Sequence, residues 1–232
     1  VDTPANGGNG IGVQNSSVTS GHPSNVTVRN LTVTDWQTGV SYSGAPNGNV
    51  SDVTATNGDG TIGDGILMFS GSNNGSIKDS EVIGADNRAV ASLSSNGVTV
   101  DNNTVDSSAD SVVVSDSQGV LVRDTNVTNS VADGIALSDS VDAVLRNNKF
   151  TGSSDGISID SASSNTTLVD NNASDNSDDG IDVNSDDNNI TGNVVIGNAG
   201  AGIRIDDAQD NLAQDNNLSD NDIWGLLLNT GN

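Results

Sequence analysis

The sequence predicts an all-β solenoid of about ten coils of about 23 residues, wound as a single domain over residues 1–232, with three short strands per coil. Two observations carry this. A glycine followed by a short aliphatic strand recurs along the chain, as in Gly65-Ile66-Leu67-Met68, Gly134-Ile135-Ala136-Leu137 and Gly180-Ile181-Asp182-Val183. From residue 65 the steps between these starts are 23, 23, 23, 22, 24, 22 and 23, counting Arg88 and Ser111 as members that lack the glycine. Such regularity is the mark of a repeat in which each unit is one turn and buries its apolar face only against its neighbours. The second observation is a column of Asn and Asp at the same spacing.

Each repeat has the same internal order. After the glycine strand comes a Ser/Asn/Asp-rich turn, which favours chain reversal because these side chains bond their own backbone. A second short strand follows, such as Val98-Thr99-Val100 or Val120-Leu121-Val122. One polar residue then ends it: Asn30, Asp52, Asp79, Asn102, Asp124, Asn147, Asn171, Asn193 and Asp215. Three residues on, the column Val33, Ala55, Val82, Val105, Val127, Phe150, Ser174, Ile196 and Leu218 is mostly apolar, so a third strand should point these inward. Coils stacked at about 4.8 Å pair strand on strand in parallel, and ten starts give a rod roughly 45 Å long. Early coils carry insertions around residues 16–24, 44–48 and 57–63, which should form side loops.

These features resemble the right-handed parallel β-helices of the pectin-lyase-like superfamily, in particular the repeat type of NosD-like periplasmic copper-accessory proteins. The resemblance covers nearly the whole chain. It implies that the Asn/Asp column is an internal ladder whose stacked side chains satisfy backbone groups at a tight corner. It leaves activity open, because one fold hosts many chemistries.

Composition narrows the setting. Thirty-one acidic residues face 7 basic ones, for a net charge of −24; Glu81 is the sole glutamate, and Lys78 and Lys149 are the sole lysines. A surface this acidic repels nucleic acid and anionic membranes, which excludes both as partners. It fits a protein adapted to high salt, where self-repulsion is screened, and a haloarchaeal source is the expectation. The absence of cysteine excludes disulfides and thiolate chemistry. There is no apolar run long enough to insert in a membrane. Asn-x-Ser/Thr sequons are dense; Asn15, Asn74 and Asn165 are the expected exposed glycosylation sites, whereas Asn30 and Asn102 fall in the ladder column and should be buried. Without recognisable caps, the chain is expected to be a segment of a longer secreted or surface protein.

The outward positions of the glycine strands are where chemistry would sit, since in enzymes of the resembled superfamily that face lines the saccharide groove. Leu67, Phe69, Val90 and Val113 should form an apolar patch that a docking segment or second subunit covers. Asp160, Asp182, Arg204 and Asp206 form the polar cluster expected to bind saccharide, opposed by the plainer reading of a solvated acidic face. Just before the glycines, Asp64, Asn87, Asp110, Asp133, Asp155 and Asp179 should stack, either bonding the corner backbone or, at Asp155 and Asp179, holding Ca²⁺.

A narrower resemblance is to the polygalacturonases. Ser154-Asp155-Gly156, Asp178-Asp179-Gly180 and Gly200-Ala201-Gly202 align with that family's successive motifs. The match implies Asp179 as general acid, with Asp155 and Asp178 activating water, but Ala201 occupies the place of the family's histidine. The leading reading is a non-catalytic extracellular or cell-surface β-helix, serving as stalk or carbohydrate-facing recognition module, with carbohydrate or other surface proteins as partners. A polysaccharide hydrolase or lyase is the alternative, and a viral tail or spike module the third.

Overall fold

The computed structural model describes residues 8–14, 23–58, 63–106 and 108–229. They form an all-β parallel solenoid of about nine turns, with no helix among the described residues. Every strand pairing is parallel and joins one coil to the next. The register follows the sequence period: Val112 lies beside Ile135, Ile135 beside Ile157, Ile157 beside Ile181 and Ile181 beside Ile203.

Three sheets run the length of the rod. The glycine sheet includes Asp64–Phe69, Arg88–Leu93, Asp110–Ser115, Ile135–Ser138, Ile157–Ile159, Ile181–Val183, Ala201–Asp206 and Trp224–Asn229. The second includes Thr99–Asp101, Leu121–Arg123, Val144–Arg146, Thr167–Val169 and Asn189–Thr191, and the third Thr104–Asp106, Asn126–Thr128 and Lys149–Thr151. At the N-terminal end one strand, Thr27–Ser43, contributes to all three.

The glycine column has a steric cause. A Cβ on Gly134, Gly156 or Gly202 would stand 2.6 Å from the carbonyl oxygen of Gly156, Gly180 or Gly225, the corresponding residue one coil on. The backbone can pass at that height only without a side chain.

The core is a stack of aliphatic columns in which Ile66, Ile77, Ile135, Leu145, Ile157, Leu168, Ile181 and Ile190 are fully buried. Each such side chain contributes about 1.5–3 kcal/mol of transfer free energy. Phe150, Trp36 and Tyr42 are also buried, and the Tyr42 hydroxyl donates to the carbonyls of Val26 (3.1 Å) or Asn49 (3.2 Å). Burial pushes its pKa up to about 12. Of the aromatic residues open to a sugar, only Trp224 is exposed among the described ones.

The polar corners divide the Asn/Asp column into two columns with different jobs. Asn30, Asp52, Asp79, Asn102, Asp124, Asn147 and Asp215 are exposed and left-handed, with φ between 49° and 56°. Asn and Asp tolerate this region better than other non-glycine residues, and Asp170 and Gly192 take the same place in their coils. The internal ladder is one residue further on: Ser80 accepts the Val53 N–H, and Asn103, Thr125, Asn148, Asn171, Asn193 and Asn216 each accept the backbone N–H of the ladder residue one coil before. Asn171 and Asn193 therefore lie in the ladder, and the other seven expected members do not. The same slip explains the apolar column, where Ala173 and Val195 are fully buried in place of Ser174 and Ile196. Asn30 and Asn102, expected to be buried, are exposed.

Two more ladders close the other corners. Ser72, Ser95, Ser117, Ser140 and Ser163 pass hydroxyl bonds from coil to coil, and Asn176, Asn198 and Asn221 do so with amides.

The expected apolar patch is also rearranged. Arg88–Leu93 pairs Val90 with Ile66 and Val112, so Val90 is a core residue with no exposed surface. The coil is read one residue out of step there because Arg88 has no glycine after it to mark the strand. Ala91 and Leu93 align instead with Leu67 and Phe69; Leu67 and Ala91 are buried, while Phe69, Leu93 and Val113 are half-buried.

Candidate functional site

The corner that leads into the glycine sheet holds the densest charge. Asp133, Asp155 and Asp179 occupy equivalent places in three successive coils, just before the glycine. Each uses Oδ1 to accept a backbone N–H from the next coil: Asp155 to Asp133 (3.3 Å), Asp179 to Asp155 (2.8 Å) and Ala201 to Asp179 (2.6 Å). The carboxylates are therefore a fourth ladder, placed where the chain turns up into the strand. At the other end of the row Asp64 is buried and held by Asn87 Nδ2 (2.8 Å) and by Arg88 through Nε and Nη2, both 2.9 Å.

Stacking acids has an electrostatic consequence. Burial raises the pKa of Asp155 to about 7, with the charges of Asp133, Asp182 and Asp179 adding to it and the bond from Asp179 N–H opposing. Asp133 and Asp179 are raised too, chiefly by burial. In Asp179 the Ala201 N–H and the Arg204 charge work against that rise.

Arg204 and Asp182 face outward on adjacent strands of the glycine sheet. Arg204 donates from Nε to Asp182 Oδ1 and from Nη2 to Asp182 Oδ2, both at 2.9 Å. Its Nε is also 3.1 Å from Asp179 Oδ2, which receives the charge but not the hydrogen: that oxygen is buried without a hydrogen-bond donor. The guanidinium pKa is raised, first by the Asp182 bonds.

The structure thus brings together Asp155, Asp178, Asp179, Asp182 and Arg204. Oxygens of Asp155, Asp178 and Asp179 lie within 4.8 Å of one another, so these three could hold a hard cation such as Ca²⁺. Asp155 and Asp179 each have one oxygen committed to the backbone, which limits what they can offer. Asp160 stands apart. Partial burial would raise its pKa, but bonds from Ser138, Ser163, Asp139 and Ala162 outweigh it and hold the carboxyl below its usual range. Its Oδ1 accepts from the N–H groups of Ala162, Ser163 and Asp139 and from the Ser163 hydroxyl, and its Oδ2 accepts from the Ser138 hydroxyl of the preceding coil. Asp206 is half-buried beside Asn229 in register and joins none of these bonds.

Asn74 and Asn165 are exposed at left-handed corners, φ 56° and 54°, and Asn165 Nδ2 donates to Asp142 Oδ1 at 2.6 Å. Asn15 lies outside the described residues. The Asp182–Arg204 pair was legible as an outward column, whereas the role of Ala201, whose backbone N–H fixes Asp179, had no signal in its side chain.

Comparison with solved structures finds the fold widely. The chain superposes on a mannuronan C-5 epimerase AlgE4 A-module from Azotobacter vinelandii with TM-score 0.61 and 16% identity, over 87% of this chain and 72% of that one. On the surface adhesin PfbA of Streptococcus pneumoniae the values are 0.68 and 15%, over 88% and 62%. On the Azotobacter vinelandii AlgE6 A-module they are 0.60 and 18%, over 84% of this chain, which spans 59% of that one. At these identities the likeness is one of fold. No curated protein matches. The family model for the right handed beta helix region matches residues 88–232, more than half of the chain, and the protein belongs to that family.

Proposed function

We propose that the chain is a salt-adapted β-helix module displayed outside the cell, whose outer glycine-sheet face recognises saccharide. The observation that carries this reading is the Asp182–Arg204 pair: two charged side chains preorganised by bidentate bonding on a sheet face that elsewhere presents Leu67, Ala91, Val113 and Ala136. Fixed polar groups of this kind, a buried carboxylate under a guanidinium that is a third exposed, orient hydroxyl-bearing ligands. The named roles of the structural neighbours, epimerases of mannuronan and a surface adhesin, agree with a saccharide-facing, extracellular setting. A glycan array in high salt, run with the native protein and Asp182→Asn, tests it. Retention of a glycan by the native protein and its loss in a variant that melts normally is expected; a blank array for the native protein overturns the reading.

One observation favours a second reading, a polysaccharide hydrolase: Asp155, titrating near neutrality, lies beside Asp178 and Asp179. Against it, Ala201 supplies no side-chain acid or base, and Oδ1 of the would-be general acid Asp179 accepts its backbone N–H. Release of reducing ends that disappears in Asp179→Asn would establish the enzyme.

A further inference from the structure

The corner between the third sheet and the glycine sheet carries a shallow groove of 340 Å³ that none of the residues above explains. Its wall includes Ser130, Ser153, Ser177 and Ala199, with Asp175 and Asp222. These belong to five successive coils, so the groove runs along the rod for about 19 Å at roughly 4.8 Å per coil. It opens where the corner is built small. Gly152 and Gly197 take the left-handed corner positions, φ 69° and 70°, and Ser130 and Ser153 stand where Asn176, Asn198 and Asn221 continue the column.

One group there is unsatisfied. Ser153 is 2% exposed, and its Oγ has no hydrogen-bond partner. One coil earlier the equivalent Ser130 Oγ donates to the Asp133 carbonyl at 2.9 Å. The Ser153 oxygen is enclosed, so Ser153 forms the floor of the groove, and the side chains a ligand reaches are those of Ser177, Asp175 and Asp222.

We propose that this groove binds a linear glycan lying parallel to the rod axis and carrying no acidic groups, its hydroxyls paired to the exposed side chains of Ser177, Asp175 and Asp222. The proposal rests on the saccharide reading above and locates a second binding surface. A hydroxyl-rich ligand fits better than a peptide strand, because the wall offers no free backbone edge. The N–H groups of Ser154, Ser177, Ala199 and Asp222 already bond the preceding coil. No basic residue lines the groove, and Asp175 and Asp222 are exposed on it, so uronate chains are repelled while neutral or amine-bearing sugars are not.

Calorimetric titration of the whole chain with cello-oligosaccharide, chitosan oligosaccharide and oligogalacturonate, at two salt concentrations, tests this. Two variants, Ala199→Trp and Ser177→Tyr, fill the groove from exposed positions; Asn147→Asp, at an exposed corner outside the groove, is the control, and Asp182→Asn alters the other face. Binding of the neutral or amino sugar, weakened about tenfold or more by either groove variant and unchanged in Asn147→Asp, is expected. A salt-weakened chitosan interaction beside a salt-insensitive cello-oligosaccharide one would distinguish amine from hydroxyl recognition, and both support the groove. Preferential binding of oligogalacturonate overturns the proposal, as does binding lost in Asp182→Asn but intact in both groove variants, which would leave the saccharide reading standing. No binding of any glycan overturns both.

Discussion

Arg204 grips Asp182 in the neighbouring coil with two parallel bonds of 2.9 Å, while its Nε stands 3.1 Å from Asp179 Oδ2. One guanidinium therefore serves two carboxylates that are each more than nine-tenths buried. Removing it would leave both without their compensating charge. Arg204→Ala is expected to lose roughly 2 kcal/mol, below the value for fully buried pairs because a third of the arginine side chain is in water. Arg204→Lys should recover only part, since an ammonium cannot make the fork. Denaturant melts of the three proteins check the order.

Asp155 sets a pH dependence whose sign runs opposite to ordinary acid denaturation. Its pKa is raised to about 7 from 3.8, so the folded state holds a proton that the unfolded state has released. Its contribution to stability is full below about pH 4 and falls as pH rises towards 7. Asp133 and Asp179 shift in the same direction. Asp155→Asn keeps an oxygen for the Asp179 N–H and removes the charge, so it should stabilise the fold at pH 8 by about 1–2 kcal/mol and flatten the decline between pH 4 and 7. Thermal melts across that range would show it; parallel curves for the two proteins would mean Asp155 ionises normally.

The two polar columns make contrasting predictions. Asn171 accepts from Asn148 N–H and Nδ2 and donates to the Leu145 carbonyl and Asn193 Oδ1. Asn171→Ala should cost about 2–4 kcal/mol through orphaned buried groups. Asn147, exposed with φ 54°, should accept Asp or Gly within about 0.5 kcal/mol, yet Asn147→Val should cost about 1–2 kcal/mol in backbone strain. Urea unfolding of the four variants separates ladder from corner.

Gly156→Ala should be more damaging than its one methyl suggests. The new Cβ would meet Gly180 O at 2.6 Å, Asn176 Nδ2 at 2.7 Å and Ala173 Cβ at 2.9 Å. Coil spacing would have to open locally, at a cost of about 1–3 kcal/mol for overpacking. A fall in melting temperature for Gly156→Ala beside an unchanged one for Gly119→Ser, an exposed corner where nothing crowds an added Cβ, would be diagnostic only after allowing for the latter's φ of 65°. Chemical denaturation of Gly156→Ala alone therefore decides it.

The period, the three strands per coil and the inward aliphatics were legible without coordinates, because a coil stacked on copies of itself repeats the same burial demand every 22 to 24 residues. Leu145, Leu168 and Ile190 show that regularity directly, lying side by side in register. So was the outward course of Asp182 and Arg204, which follows from alternation along a strand. Which of two adjacent polar residues enters the corner was not legible: Asn147 and Asn148 are chemically identical, and only the backbone turn sends one out in a left-handed conformation and the other in to bond Val122 and Asn171. Val90 shows the same limit, since its inward direction depends on pairing with Ile66 and Val112 rather than on its own identity. The stacking of Asp133, Asp155 and Asp179, 22 and 24 residues apart in the chain, followed from the repeat, but the upward shift of Asp155 and the sharing of Arg204 between Asp179 and Asp182 arise only when the coils close. Sequence determined the repeat because burial is periodic, and the tertiary structure decided register and charge proximity because both are set by contacts between coils.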